Sequence, residues 1–172
     1  MTKEQKIKSL TLAEMKKQEK VLKETKEELI TINDTVYKVK IDTHFLPTKR
    51  NQLLDDLIKF FDESNKNEQL TSIATPYTSL LLVKHFTDID IPDDIDEALD
   101  YLYLLMNVRA LTPIINAMPE AEVIDLYDSL TETLGQISDN MMKSIGEADD
   151  LLKGIENPEV KELMQNGFKP KE

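Results

Sequence analysis

A mainly α-helical fold carrying one small β-hairpin is what this 172-residue sequence predicts, and three observations predict it. Apolar residues after Thr48 recur at spacings of three and four, the period of one face of a helix. Leu29 to Asn33 and Val36 to Asp42 instead alternate apolar and polar residues around Asp34-Thr35, the period of a half-buried strand. Prolines and acidic residues stand at the starts of the helical stretches, where both are favoured. The expected architecture is a single helical domain of about four to six helices, preceded by a long charged N-terminal helix. Its divisions are a charged arm over 1–28, a helical domain over 29–167 with the hairpin at 29–42, and a tail over 168–172.

The arm reads as helix over residues 2–28. Thr11-Leu-Ala-Glu14 matches the capping box, in which a hydroxyl and a carboxylate satisfy amide donors left over at a helix start. Ile7, Leu10, Leu12, Met15, Val21 and Leu22 make only a thin apolar stripe, so the arm is either solvated or ordered by a partner. In the hairpin, Tyr37, Val39 and Ile41 share one face and Val36, Lys38 and Lys40 the other, and only the first can join a core. No glycine stands in the turn, which predicts a connection slightly longer than two residues. A two-stranded hairpin is marginal alone and must lean on the helices or on another chain.

Pro47-Thr48 starts a helix to about Glu63, with Leu53, Leu54, Leu57, Ile58 and Phe61 on its apolar face. After a polar break over Ser64 to Thr71, a second helix begins near Thr75-Pro76 and carries Tyr77, Leu80, Leu81, Leu82, Val83 and Phe86. Apolar residues nearly surround it, the mark of a central buried element. A third runs from about Asp94 to Val108, with acids in its first turn and Ile95, Ala98, Leu99, Leu102, Tyr103, Leu105 and Met106 turned inward. Thr112 to Ala117 is a short turn of helix. Pro119-Glu120 opens a long one with Val123, Ile124, Leu126, Tyr127, Leu130 and Leu134, which continues or bends at Gly135 and Gly146 before stopping at Gly154. A brief helix from Asn157-Pro158 to Asn166, stopped by Gly167, precedes the tail.

Composition narrows the chemistry. There are no cysteines, so disulfides, thiolate metal sites and thiol nucleophiles are excluded. His44 and His85 have no histidine four residues away and read as structural. The run Asp88-Ile-Asp90-Ile-Pro-Asp93-Asp94-Ile-Asp96-Glu97 is dense in carboxylates, but counted from Asp88 it puts Pro92, Asp93 and Leu99 at positions five, six and twelve of a calcium loop. It reads as an acidic helix start rather than a metal site. The four glycines, Gly135, Gly146, Gly154 and Gly167, are scattered, so no phosphate-cradling loop can form. Asp55-Asp56 and Asp149-Asp150 are adjacent on helices, point apart, and read as solvated faces. Met141-Met142 and the other methionines read as buried packing. No catalytic, cofactor-binding or metal-ligating residue is expected, and neither is enzymatic activity.

Charge is distributed unevenly. Residues 1–50 carry 12 basic and 8 acidic side chains, while residues 51–150 carry 5 and 21. Such a body repels phosphate backbones, so direct nucleic-acid binding is not expected except through the front segment. No apolar run approaches the roughly 18–20 residues that cross a bilayer, and the first twenty residues have no signal-peptide core. A cytoplasmic protein with no membrane association is the expectation, acting on a protein partner through the hairpin edge or a helical groove without cofactors, with self-association as a further use of the edge.

Ile32-Asn-Asp-Thr-Val-Tyr-Lys-Val-Lys-Ile41, followed by the Thr48-Lys-Arg-Asn-Gln-Leu-Leu54 helix and an acidic helical remainder, resembles small tail assembly chaperones of long-tailed phages infecting Gram-positive bacteria. The likeness covers roughly residues 28–110. It implies a non-enzymatic protein in the host cytoplasm that binds the tape-measure protein, keeps its apolar helices soluble, and helps recruit tail tube subunits. Two alternatives from other classes are an acidic inhibitor that imitates nucleic acid, with carboxylates from 88–100 and 120–132, and a structural virion subunit.

Overall fold

The computed structural model describes residues 7–153, with side chains described as far as Ile137 apart from Glu68. The chain divides into two compact units, Met1–Leu126 and Tyr127–Glu172, a division that falls inside the last long helix and within the stretch the sequence groups as one domain. The architecture is mainly helical with one small antiparallel hairpin: α1 (Leu12–Leu22), β1 (Thr25–Ile32), β2 (Thr35–Asp42), α2 (Pro47–Ser64), α3 (Glu68–Thr71), α4 (Ala74–Phe86), α5 (Ile95–Asn107), α6 (Leu111–Ala117) and α7 (Glu120–Lys153). None of the described helices is long and apolar enough to cross a membrane.

The front of the chain departs from expectation. Thr11 caps α1 as its sequence requires, its hydroxyl accepting from the Glu14 amide at 3.3 Å, but the helix ends at Leu22 instead of near residue 28. Residues from Thr25 onward are claimed by the ladder, where Thr25 pairs with Asp42, Lys26 with Ile41 and Glu27 with Lys40. Opposite charges across the strands favour this pairing, and the Thr43 amide donates to the Glu24 carbonyl to extend it. The turn is also shorter than expected. Asn33 and Asp34 alone form it, with φ of 47° and 64°, because both residues tolerate the left-handed region that a primed turn demands.

In the core of the first unit, α4 is the central element: Tyr77, Leu80, Leu81, Leu82, Val83 and Phe86 are all buried. Leu53, Leu57 and Phe60 of α2 are buried as well, and Phe60 stacks on Tyr77 with ring centroids 4.1 Å apart. Phe45, at the hairpin exit, stacks on Phe86 at 3.8 Å. The hairpin contributes Ile30, Val39 and Ile41 to this core, which supplies the support a two-stranded sheet lacks. A backbone bridge from Ile41 to Thr87 fixes β2 to the end of α4.

Seven helices are described, and α3 is the one the sequence does not predict: the expected polar break holds this single turn, capped by Asn67 accepting from the Gln69 amide. Asp94 caps α5 by accepting from the Glu97 amide at 3.1 Å, with Asp96 and Glu97 in the first turn, where carboxylates oppose the helix dipole. Of the α5 residues expected inward, Ala98, Leu99 and Leu102 are buried, but Tyr103 and Met106 are exposed. The apolar surface of α5 is wider than its core contact. α7 continues through Gly135 and Gly146 to Lys153. The predicted helix over 157–166 and the tail over 168–172 lie outside the described residues, as do the first six.

Candidate functional site

Two polar clusters and one apolar groove stand out among the described side chains of the first unit. Asp56 of α2 was read from sequence as a solvated face, and the structure corrects that. Its carboxylate accepts from Lys84 Nζ at 2.8 Å, lies 3.0 Å from His85 Nε2, and accepts from Lys59 Nζ at 3.2 Å. Lys84 also pairs with Asp93 Oδ1 at 2.7 Å. Burial pushes the Asp56 carboxyl up, but hydrogen bonds from Lys84, His85 and Lys59 outweigh it and hold the group below its ordinary value. For His85 burial prevails over Asp56 and lowers the imidazole. The cluster is an inter-helix tie between α2 and α4, with its charges mutually satisfied.

Arg50 is the second. Its Nε donates to the Phe45 carbonyl at 2.8 Å and its Nη2 to Glu122 Oε2 at 2.8 Å, while Nη1 reaches Asp125. Glu122 in turn accepts from the Phe45 amide at 3.1 Å. A planar guanidinium with several fixed donors suits such a junction, here between the start of α2 and the start of α7.

The remaining sequence candidates are engaged locally or lie outside the described side chains. His44 is exposed and its Nδ1 is 3.0 Å from the Thr43 hydroxyl. Asp55 is exposed. Within the acidic run, Asp94 is a cap, Asp93 pairs with Lys84, and Asp88 accepts from the Lys40 amide at 2.9 Å while its own amide donates to the Lys40 carbonyl at 3.1 Å. Among the described residues, no group of three or more histidine or acidic side chains is placed to hold a metal ion. Met118 is buried, whereas Met15 and Met106 are exposed against expectation. Asp149, Asp150, Met141 and Met142 lie beyond the described side chains.

The groove was not foreseen in detail. A cavity of about 370 Å³ opens between the core-facing side of the hairpin and α5–α6, walled by Ile30, Ile32, Val39, Val108 and Ile114. Tyr37 and Leu104 stand at it while 49% and 56% exposed. Lys38 is its charged member. A concavity of this volume with apolar walls and one polar group is the usual form of a binding site. Exposed apolar residues at a fixed depression are also more informative than scattered ones. The signal in the sequence was the surplus of apolar residues on α5, which a single core face cannot consume.

Two further surfaces lie in the front segment. α1 buries none of its residues, leaving Leu12, Met15, Val21 and Leu22 in solvent. The hairpin is open along β1. Because Ile32 and Thr35 close the turn, alternation along an antiparallel ladder directs the backbone groups of Glu27, Leu29 and Thr31 away from β2. Among the described residues these groups receive no hydrogen bond.

A protein-family model described as YomO matches residues 12–165. The SPbeta prophage-derived protein YomO of Bacillus subtilis (strain 168) is 27% identical over 127 residues, a span of 73% of this chain and 75% of that relative. No solved structure matches.

Proposed function

We propose that this chain, which belongs to the YomO family, is a phage assembly factor that works by contact and catalyses no reaction. The family is phage-derived. The partner is a protein presenting an amphipathic helix, and the tape-measure protein of a phage tail is the partner we favour. In this reading the protein is a tail assembly chaperone that shields apolar helices until the tube forms around them.

The observation that carries the reading is the apolar groove between the hairpin and α5–α6, with Tyr37 and Leu104 left partly in solvent at its opening. Helix-in-groove recognition uses such a surface, anchored by a few apolar side chains at helical spacing. The ionisable groups most suited to chemistry support contact over turnover, since Asp56, Lys84 and His85 are spent on one another in the tie between α2 and α4. The acidity of residues 51–150 adds a further support: like charge limits indiscriminate association before assembly.

Affinity capture from phage-producing cells, with wild-type protein and Leu104→Glu, tests this. Leu104 is exposed enough for the substitution to leave the fold intact. The expected result is co-elution of a long helical tail component with wild type, retained in high salt and lost in the variant. A basic nucleic-acid enzyme that co-elutes and falls away steeply with salt would establish the nucleic-acid mimic instead.

A further inference from the structure

We infer that two copies of this chain join edge to edge through β1, antiparallel and centred on Leu29, to form a four-stranded sheet. The contact adjoins the groove along β1 but centres on the other face of the strand, because Leu29 is on the opposite face from the buried Ile30.

The open edge supplies the backbone chemistry. Glu27, Leu29 and Thr31 direct their amides and carbonyls outward from an eight-residue strand, and β1 holds no proline to blunt it. The edge of β2 is different, since Asp88 occupies both backbone groups of Lys40. A twofold contact requires a self-complementary surface, and the order of residues along β1 provides one. With Leu29 opposite Leu29 of the second copy, Glu27 faces Thr31, Glu28 faces Ile30 and Lys26 faces Ile32. No two like charges stand directly opposite, which is the arrangement cross-strand pairing favours.

Charge selects the same region. Each copy carries a net −12, but the stretch Thr25–Asp42 holds three lysines against four acids. Its charges are further balanced within the hairpin by Lys26 with Glu28 at 2.9 Å and Lys38 with Glu27 at 3.2 Å. The charge of this stretch therefore does not oppose the meeting of two copies. Leu29 is 72% exposed in the single chain. In the paired sheet the two Leu29 side chains adjoin, flanked on each side by the stem of Lys38, which covers apolar surface while its ammonium stays in water. A strand edge buries little area compared with the roughly 1,200 Å² of a standard interface, so association is concentration-dependent. Screening of the bodies makes it stronger at physiological salt than at low salt.

Cysteine trapping reads the register directly, since the natural chain has no cysteine. Paired positions in this register stand about 5.5 Å apart at Cα, within disulfide reach. The full-length Leu29→Cys protein is expected to form a disulfide dimer on mild oxidation, and Glu27→Cys mixed with Thr31→Cys to form the mixed dimer in preference to either self-pair. In light scattering, wild type is expected to rise toward twice the monomer mass with concentration. Leu29→Pro loses this rise while keeping the hairpin, because that amide does not face β2. Leu29→Lys, which sets four ammonium groups in the central row, loses it without altering the backbone. A monomer mass at every concentration, trapping no faster than at Tyr101→Cys on α5, or self-pairs at 27 and 31 in place of the mixed pair each overturn the proposal.

Discussion

Asp56, Lys84 and His85 show how a residue's environment, more than its type, sets its behaviour. His85 is held below its ordinary pKa of 6.5 because burial disfavours the imidazolium more than Asp56 favours it, and Lys84 and Lys49 oppose it further. The unfolded chain therefore takes up a proton more readily than the folded one. Stability from this group is present above about pH 6.5 and is lost as pH falls through the lower folded value. Asp56 has the same sign in the carboxylate range, since its folded value is also depressed. Thermal stability of wild type is expected to fall as pH drops from 7 to 5, and His85→Gln, which keeps a donor toward Asp56 but cannot titrate, to flatten that limb. An unchanged pH slope in His85→Gln would place the acid sensitivity elsewhere. His85 is legible as a structural histidine from its apolar helix, but Asp56 is not legible as its partner. The two are 29 residues apart, and only the packing of α2 on α4 unites them.

At the scale of elements, the helices α2, α4, α5 and α6 can be read within a residue or two of their ends, because apolar spacing and the acids or prolines at their starts agree. α1 and β1 cannot. Lys26, Glu27 and Glu28 are weak strand formers that continue the charged texture of the arm, and only the cross-strand partners on β2 decide their conformation. The turn offers a direct check on the forces at work. Asp34 holds a φ of 64° and is exposed, so Asp34→Gly removes strain and creates the Asn-Gly pair best suited to a primed turn. A gain of about 0.5–1 kcal/mol is expected, raising the midpoint of thermal unfolding by about 1–4 °C. A loss of stability would mean that the Asp34 side chain contributes more than its backbone costs. The groove was hidden for a different reason: its walls come from the hairpin, α5 and α6, and exposed residues such as Leu104 obey the same helical period as buried ones.

Over the molecule as a whole, the charge division legible in the sequence fits the proposed function. In that reading the near-neutral hairpin and the basic arm are the surfaces a partner chain approaches, while the acidic stretch limits indiscriminate contact. Helix content, the presence of one hairpin and the burial of α4 were all available from periodicity. What periodicity cannot supply is adjacency between distant segments, and the groove, the open edge and the Arg50 junction are all products of adjacency.

One such adjacency reaches into dynamics. Asp88 grips both backbone groups of Lys40 across 48 residues, stitching β2 to the segment that leaves α4. The hairpin therefore has no private opening transition in its Asp88-bound half. Amide hydrogen exchange at Lys40 and Ile41 should proceed at the rate set by cooperative opening of the α4 core, while the ladder-bonded turn-proximal amides of Thr35 and Tyr37 exchange far sooner. Equal exchange along β2 would show that strand and core unfold independently.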